Sequence, residues 1–116
     1  MDTSLKFRVK VLPPVKTEDL PGLSKDLQQD FDEVYLDLLS ADPYTCCGVI
    51  PSHDLERELK GFRALEIDDC GEVYRLVYQI TDVGNNRSVE IISFDFHDPA
   101  YDKAKDRVYK RKAVRR

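Results

Sequence analysis

The chain has two histidines among its 116 residues, and one of them, His97, closes the apolar run "EIISFDF" four residues before Tyr101. Imidazole gives or takes a proton near neutral pH. The Tyr101 phenol can donate or accept a proton, or stack on a base. Arg75 lies in "YRLVYQI". Strict alternation puts Tyr74, Leu76, Tyr78 and Ile80 on one face of a strand and Val73, Arg75, Val77 and Gln79 on the other. A guanidinium fixed there is a bidentate clamp that never loses its charge. Lys60, Arg63 and Arg107 are further cations able to hold phosphates around such a clamp. Each residue also has a plainer reading. Arg75 pairs with Glu66 or Asp95 across the sheet, His97 caps a helix or lies at the surface, and Tyr101 belongs to the core under the last helix.

The elements that must position these groups follow from periodicity. "KFRVKVL" alternates, with Phe7, Val9 and Val11 inward and Lys6, Arg8 and Lys10 outward, and Pro13-Pro14 ends that strand. Leu20, Leu23, Leu27, Phe31, Val34, Tyr35 and Leu38 form one helical stripe, as one long helix or two joined ones. Asp19 is the expected N-cap, with Pro21 in the first turn. Pro43 disfavours continuation. "CCGVIPSHD" reads as a loop, and "HDLERELKG" as one helical turn ending at Gly61. "FRALEI", "EVYRLVYQI" and "SVEIISFDF" are three successive strands, the last two joined by the turn "DVGNNR". "PAYDKAKDRVYKRK" is a short terminal helix. The expected fold is α+β, an antiparallel-dominated sheet of about four strands with the N-terminal helices packed on one face.

Residues 1–116 form a single domain by length. With 41% apolar and 34% charged residues the chain is globular rather than disordered. No run of 18 apolar residues is present and the N-terminus has no apolar signal core, so a cytoplasmic protein with no membrane partner is expected. Three cysteines, two of them vicinal (Cys46 and Cys47), make neither a C-x-x-C zinc half-site nor a paired disulfide set, and read as reduced thiols. From Lys103 to Arg116 eight basic residues face one acidic residue, while the remainder carries ten basic against twenty-one acidic. This acidic body with a basic tail suits an acidic partner or nucleic acid at the tail, or a solvated helix end.

Over residues 53–108, "GFRALEIDDCGEVYRLVYQI…VEIISFDFHDPAYDKA" resembles the RelE/ParE superfamily of bacterial type II toxins. The resemblance rests on the arginine-bearing strand Tyr74 to Ile80, on "LKG" (Leu59 to Gly61) ahead of the strand meander, and on a basic residue followed by a tyrosine, here His97 and Tyr101, after the last strand. It implies a RelE-like sheet and a cognate antitoxin partner. It further implies one of two activities. The first is ribosome-dependent cleavage of mRNA without metal or other cofactor; the second is non-catalytic poisoning of DNA gyrase. A third option is a binding protein of the same fold that has lost toxicity. For the nuclease, the resemblance implies Arg75, His97 and Tyr101 as the catalytic set. It also marks departures. Ala64 and Glu66 stand where the family usually carries lysines, His97 stands for an arginine, and the pI is ≈ 5.2.

Overall fold

The computed structural model describes residues 6–114, with side chains through Lys110; the last two residues of the basic tail and the side chains from 111 on lie outside the described residues. Five strands form one sheet: β1 Arg8–Val11, β2 Ser52–Asp54, β3 Phe62–Asp69, β4 Glu72–Val83 and β5 Asn86–Phe96. Their order is β1-β5-β4-β3-β2, with β1 parallel to β5 and the other neighbours antiparallel. The α+β class holds. The strand beyond the expected four is β2, inside the segment read as a loop. Three residues are too few for an alternating pattern, and pairing with β3 alone defines it.

The first face of the sheet carries Leu65, Ile67, Tyr74, Leu76, Tyr78, Val89, Ile91 and Phe94, packed with Phe7 and the N-terminal helical layer. Phe94 is the hub of its aromatics, stacked on Phe31 at 5.8 Å and edge-on to Tyr35 at 6.0 Å. Burying such a ring contributes ~1.5–3 kcal/mol. The helical layer is broken once. A wide turn Val15–Asp19 and a tight turn Leu20–Gly22 lead to Leu23, whose backbone is extended. Helix α1 (Lys25–Asp30), a wide turn Phe31–Tyr35 and helix α2 (Leu36–Ala41) then run on continuously. The cap at the break is Ser24, whose Oγ accepts from the Leu27 N–H at 3.1 Å. Asp19, the expected cap, makes no capping bond.

Asp19 instead turns inward, with its side chain fully buried. Its carboxylate accepts from the Phe94 N–H (2.9 Å), Lys103 Nζ (2.9 Å) and both Arg107 terminal nitrogens (2.8 and 2.9 Å). The reason is the edge of β5. β1 pairs only with Ser88–Ile91, so beyond Ile91 the backbone has β4 on one side and no strand on the other. Asp19 takes the Phe94 N–H, and Arg107 donates to the Ile92 carbonyl at 2.8 Å.

Both cations come from helix α3, His97–Val114, eighteen residues long rather than short. It covers the second face of the sheet. Ala100, Ala104 and Val108 recur every four residues and pack on Ala64, Val77 and Ile92, beside Leu55, Leu59 and Phe62. Two alanines on that stripe let the helix lie close to the strands. Neither this helix nor any other among the described residues is long and apolar enough to cross a membrane.

Burial raises the Asp19 pKa, but the hydrogen bonds from Arg107, Lys103 and Phe94 and the Arg107 charge outweigh it and hold the carboxyl below its ordinary 3.8. A depressed carboxylate stabilises the fold fully above that ordinary value and loses the contribution as pH falls through the folded one. We predict that Asp19→Asn costs about 3–5 kcal/mol in urea unfolding at pH 7, by stranding Arg107. The gap from the parent protein should shrink steadily below about pH 4. Cys46 is buried and its thiol is pushed up to about 11 by burial and by Asp42 and Cys47, while Cys47 and Cys70 are exposed. A thiol reagent at pH 8 should therefore modify two thiols in the native protein by intact mass, and the third only on unfolding.

Candidate active site

The β-pairing lines up the candidate residues on the second face. Glu66 on β3 lies opposite Arg75 on β4, and Arg75 lies opposite Asp95 on β5. The adjacent row is His53, Ala64, Val77 and Ser93. Helix α3 covers Ala64, Val77 and Ser93 of that row, with Ser93 Oγ donating to the Ala100 carbonyl at 2.7 Å, and leaves His53 at its end half-exposed. The Arg75 row is left partly open, with the Arg75 side chain 11% exposed and Glu66 45%.

Alternation along β5 would not by itself put Asp95 on this face. Val89 and Ile91 face the first side, yet so does Phe94. A bulge accounts for it, since the register jumps from Val77↔Ser93 to Tyr78↔Ile91 and leaves Ile92 extra. One inserted residue reverses the parity of all that follows.

Arg75 is the centre. Its Nε donates to Tyr101 Oη at 3.2 Å, one terminal nitrogen donates to the Tyr74 carbonyl at 3.3 Å, and the other lies 3.7 Å from Glu66 Oε1. The Asp95 carboxylate is taken by Lys103 at 2.7 Å, so Glu66 is the acidic partner of Arg75. The His97 ring packs edge-on to Tyr101, with centroids 4.8 Å apart. On the far side, His53 Nδ1 lies 3.4 Å from Glu66 Oε2. The result is a chain of contacts across four elements: His97, Tyr101, Arg75, Glu66, His53.

Arg75, His97 and Tyr101 are thus brought together, as expected. The three outer cations are not. Arg63 is an odd-numbered neighbour of Ala64 and faces the first side, where it donates to Asp54 (2.7 Å), the Tyr44 carbonyl (2.8 Å) and Ser52 Oγ (3.2 Å). Arg107, 9% exposed, is held by Asp19 and Glu18. Lys60 is exposed, and its ammonium makes no ion pair among the described residues. Two contributors escaped sequence reasoning. Glu66 read as one of two pairing partners of Arg75 and as a departure from the family's lysines rather than as part of the site, and His53 gave no signal because the strand that carries it was taken for a loop. The available clue was composition: the chain has only two histidines, and the structure puts both on this face.

The arrangement combines a fixed guanidinium, a phenol, a carboxylate and two half-exposed imidazoles around one opening. It can hold an oxyanion at Arg75 and move protons on either side of it.

No protein-family model matches the sequence, and no curated protein matches it significantly. Solved structures do. The chain is similar to a YoeB/ParE toxin from Agrobacterium tumefaciens, with TM-score 0.61 and 16% identity over 78% of this chain and 99% of that one. It is also similar to the E. coli toxin RelE, seen in the free state as a double arginine-to-alanine mutant. There the TM-score is 0.59, with 15% identity over 91% of this chain and 97% of that one. What is shared at this identity is the fold: the chain has the RelE/ParE toxin fold.

The separation of Arg63 from Arg75 is measurable as stability. Arg63→Ala should lower the unfolding free energy by about 1–3 kcal/mol, since it removes three hydrogen bonds that tie residues 44–54 to β3. Lys60→Ala should stay within about 0.5 kcal/mol of the parent in the same urea titration.

Proposed function

We propose that this chain is the toxin of a type II toxin–antitoxin pair and cuts mRNA on the ribosome by metal-free transesterification, with a cognate antitoxin as its inhibitor. The observation that carries this reading is the Arg75 guanidinium, oriented by Tyr101 and Glu66 with an imidazole beyond each. Cleavage requires that the 2′-hydroxyl lose a proton, its oxygen bond to phosphorus, and the 5′-oxygen leave with a proton. Arg75 faces the phosphorane that forms between these events, with Tyr101 Oη fixing its Nε edge. His97 is the acid for the 5′-oxygen. Its Nδ1 lies 2.7 Å from Asp98 Oδ1, which leaves Nε2 as the working nitrogen.

The departures from the resembled pattern fit this scheme. Glu66 does not sit as a bare negative charge, because Arg75 and His53 lie on its two oxygens. A gyrase poison would need no proton-moving groups around the arginine, so the convergence favours the nuclease.

In a translation extract with defined mRNA, the parent protein should give discrete cuts that depend on ribosomes. Arg75→Ala and His97→Gln should each reduce the cutting rate by about 100-fold or more while melting near the parent temperature. Undiminished cutting by the Arg75, His97 and Tyr101 triple alanine variant would rule the assignment out. Inhibition of supercoiling without any cutting would move the protein to the gyrase class.

A further inference from the structure

We infer that His53 is the general base of this site, and that Glu66 positions it rather than taking the proton itself. The inference rests on the nuclease reading above and names a catalytic residue that the reading leaves open.

The argument begins with the geometry of displacement at phosphorus. The attacking 2′-oxygen and the departing 5′-oxygen stand on opposite sides of the phosphorane, so the base and the acid must flank the group that binds it. His97 flanks Arg75 through Tyr101, at the junction of β5 and α3. The opposite flank, toward the free edge of the sheet, holds Glu66 and then His53 on β2. The base must come from one of these two.

The partners separate them. Glu66 lies between two basic groups: Oε1 is 3.7 Å from an Arg75 nitrogen and Oε2 is 3.4 Å from His53 Nδ1. If Glu66 took the hydroxyl proton it would give up the charge that faces Arg75, whereas His53 can take the proton and leave that carboxylate ionised. His53 has its Nδ1 on the carboxylate, while Nε2 meets no hydrogen-bond partner among the described residues. A carboxylate only accepts, so it selects the tautomer with hydrogen on Nδ1 and the lone pair on Nε2. The same carboxylate then stabilises the imidazolium that forms. His53 is 42% exposed in its side chain, so a substrate can reach it.

His97 repeats the pattern with Asp98. The site is therefore two carboxylate–imidazole pairs, one on each side of a guanidinium. The groups that bear on His53 are Glu66 on β3, Arg75 on β4 behind that carboxylate, and Asp54 beside it on β2. Those that bear on His97 are Asp98 and Tyr101 on α3.

The step balances as follows. Neutral His53 Nε2 takes the 2′-hydroxyl proton, the 2′-oxygen bonds to phosphorus, and the P–O5′ bond breaks. Its electron pair stays on the 5′-oxygen, which takes the proton of His97 Nε2. The products are a 2′,3′-cyclic phosphate and a 5′-hydroxyl, with His53 protonated and His97 neutral. Exchange with water restores both.

The experiment compares ribosome-bound mRNA carrying a normal phosphodiester at the cut site with the same mRNA carrying sulfur in place of the bridging 5′-oxygen. A thiolate leaves without an acid, so the substitution rescues loss of the acid and leaves loss of the base unrescued. His97→Gln should lose about 100-fold or more on the normal mRNA and recover on the sulfur mRNA. His53→Gln should lose about 100-fold or more on both, and His53→Gly should regain cutting with added imidazole. Glu66→Gln should lose less than His53→Gln. Thermal melting checks each variant, and the exposed edge position of His53 makes unfolding an unexpected result. Rescue of His53→Gln by sulfur would overturn the assignment, as would near-parental cutting by His53→Gln beside an inactive Glu66→Gln. Absence of ribosome-dependent cutting by the parent protein would instead overturn the nuclease reading, and the inference with it.

Discussion

The Asp19 carboxylate is the contact on which the rest of the structure depends. It accepts from a backbone amide of β5 and from two side chains of α3, so it joins the N-terminal layer, the sheet and the C-terminal helix at one buried point. An unpaired carboxylate there would be costly. With Lys103 and Arg107 beside it the charge is compensated, and the cost is recovered as a fixed position for α3. Because Tyr101 rides on that helix and its hydroxyl meets Arg75, the placement of the clamp traces back to a residue at the end of the first helical turn. The basic tail changes meaning accordingly. Two of its cations, Lys103 and Arg107, are held within the fold by Asp19.

The bulge at Ile92 is the second constraint. The first face needs Val89, Ile91 and Phe94 together to complete its aromatic core, and uninterrupted alternation cannot supply that set. The inserted residue reconciles them, and in doing so it swings Ser93 and Asp95 to the side of α3. Ser93 then holds the helix start through the Ala100 carbonyl, and Asp95 holds Lys103. A demand of the hydrophobic core thus fixes where the polar site stands.

This division explains what could be read in advance. The alternation in β1 and β4 is local, so the inward faces and the outward placement of Arg75 were legible from the residues alone. The partner of Arg75 was legible only as a choice between Glu66 and Asp95, its two cross-strand neighbours. The roles of Asp19 and Arg107 were not legible, because their partners lie across the fold and nothing near either residue names the other. Asp19 before a leucine and a proline looks locally like a cap, and only the unpaired edge of β5 outbids that role. His53 was lost for a related reason. A three-residue edge strand has no period of its own, and its register comes entirely from β3.

Glu66 is where the departures from the resembled family bear on chemistry. A cation at that position would add to the charge of Arg75 and attract phosphate directly. A carboxylate instead holds the guanidinium near the opening at 3.7 Å, a long contact that a phosphate oxygen can replace with a shorter, charge-assisted one. Under the proposed mechanism, Arg75 exchanges one anion for another when RNA binds. The released Glu66 oxygen keeps a partner on its other side in His53, whose positive charge appears as the 2′-hydroxyl proton arrives. The carboxylate is then never left alone in a half-buried site. Under that mechanism, the acidic replacement that weakens the approach of a polyanion is the same one that prepares an imidazole to act as the base.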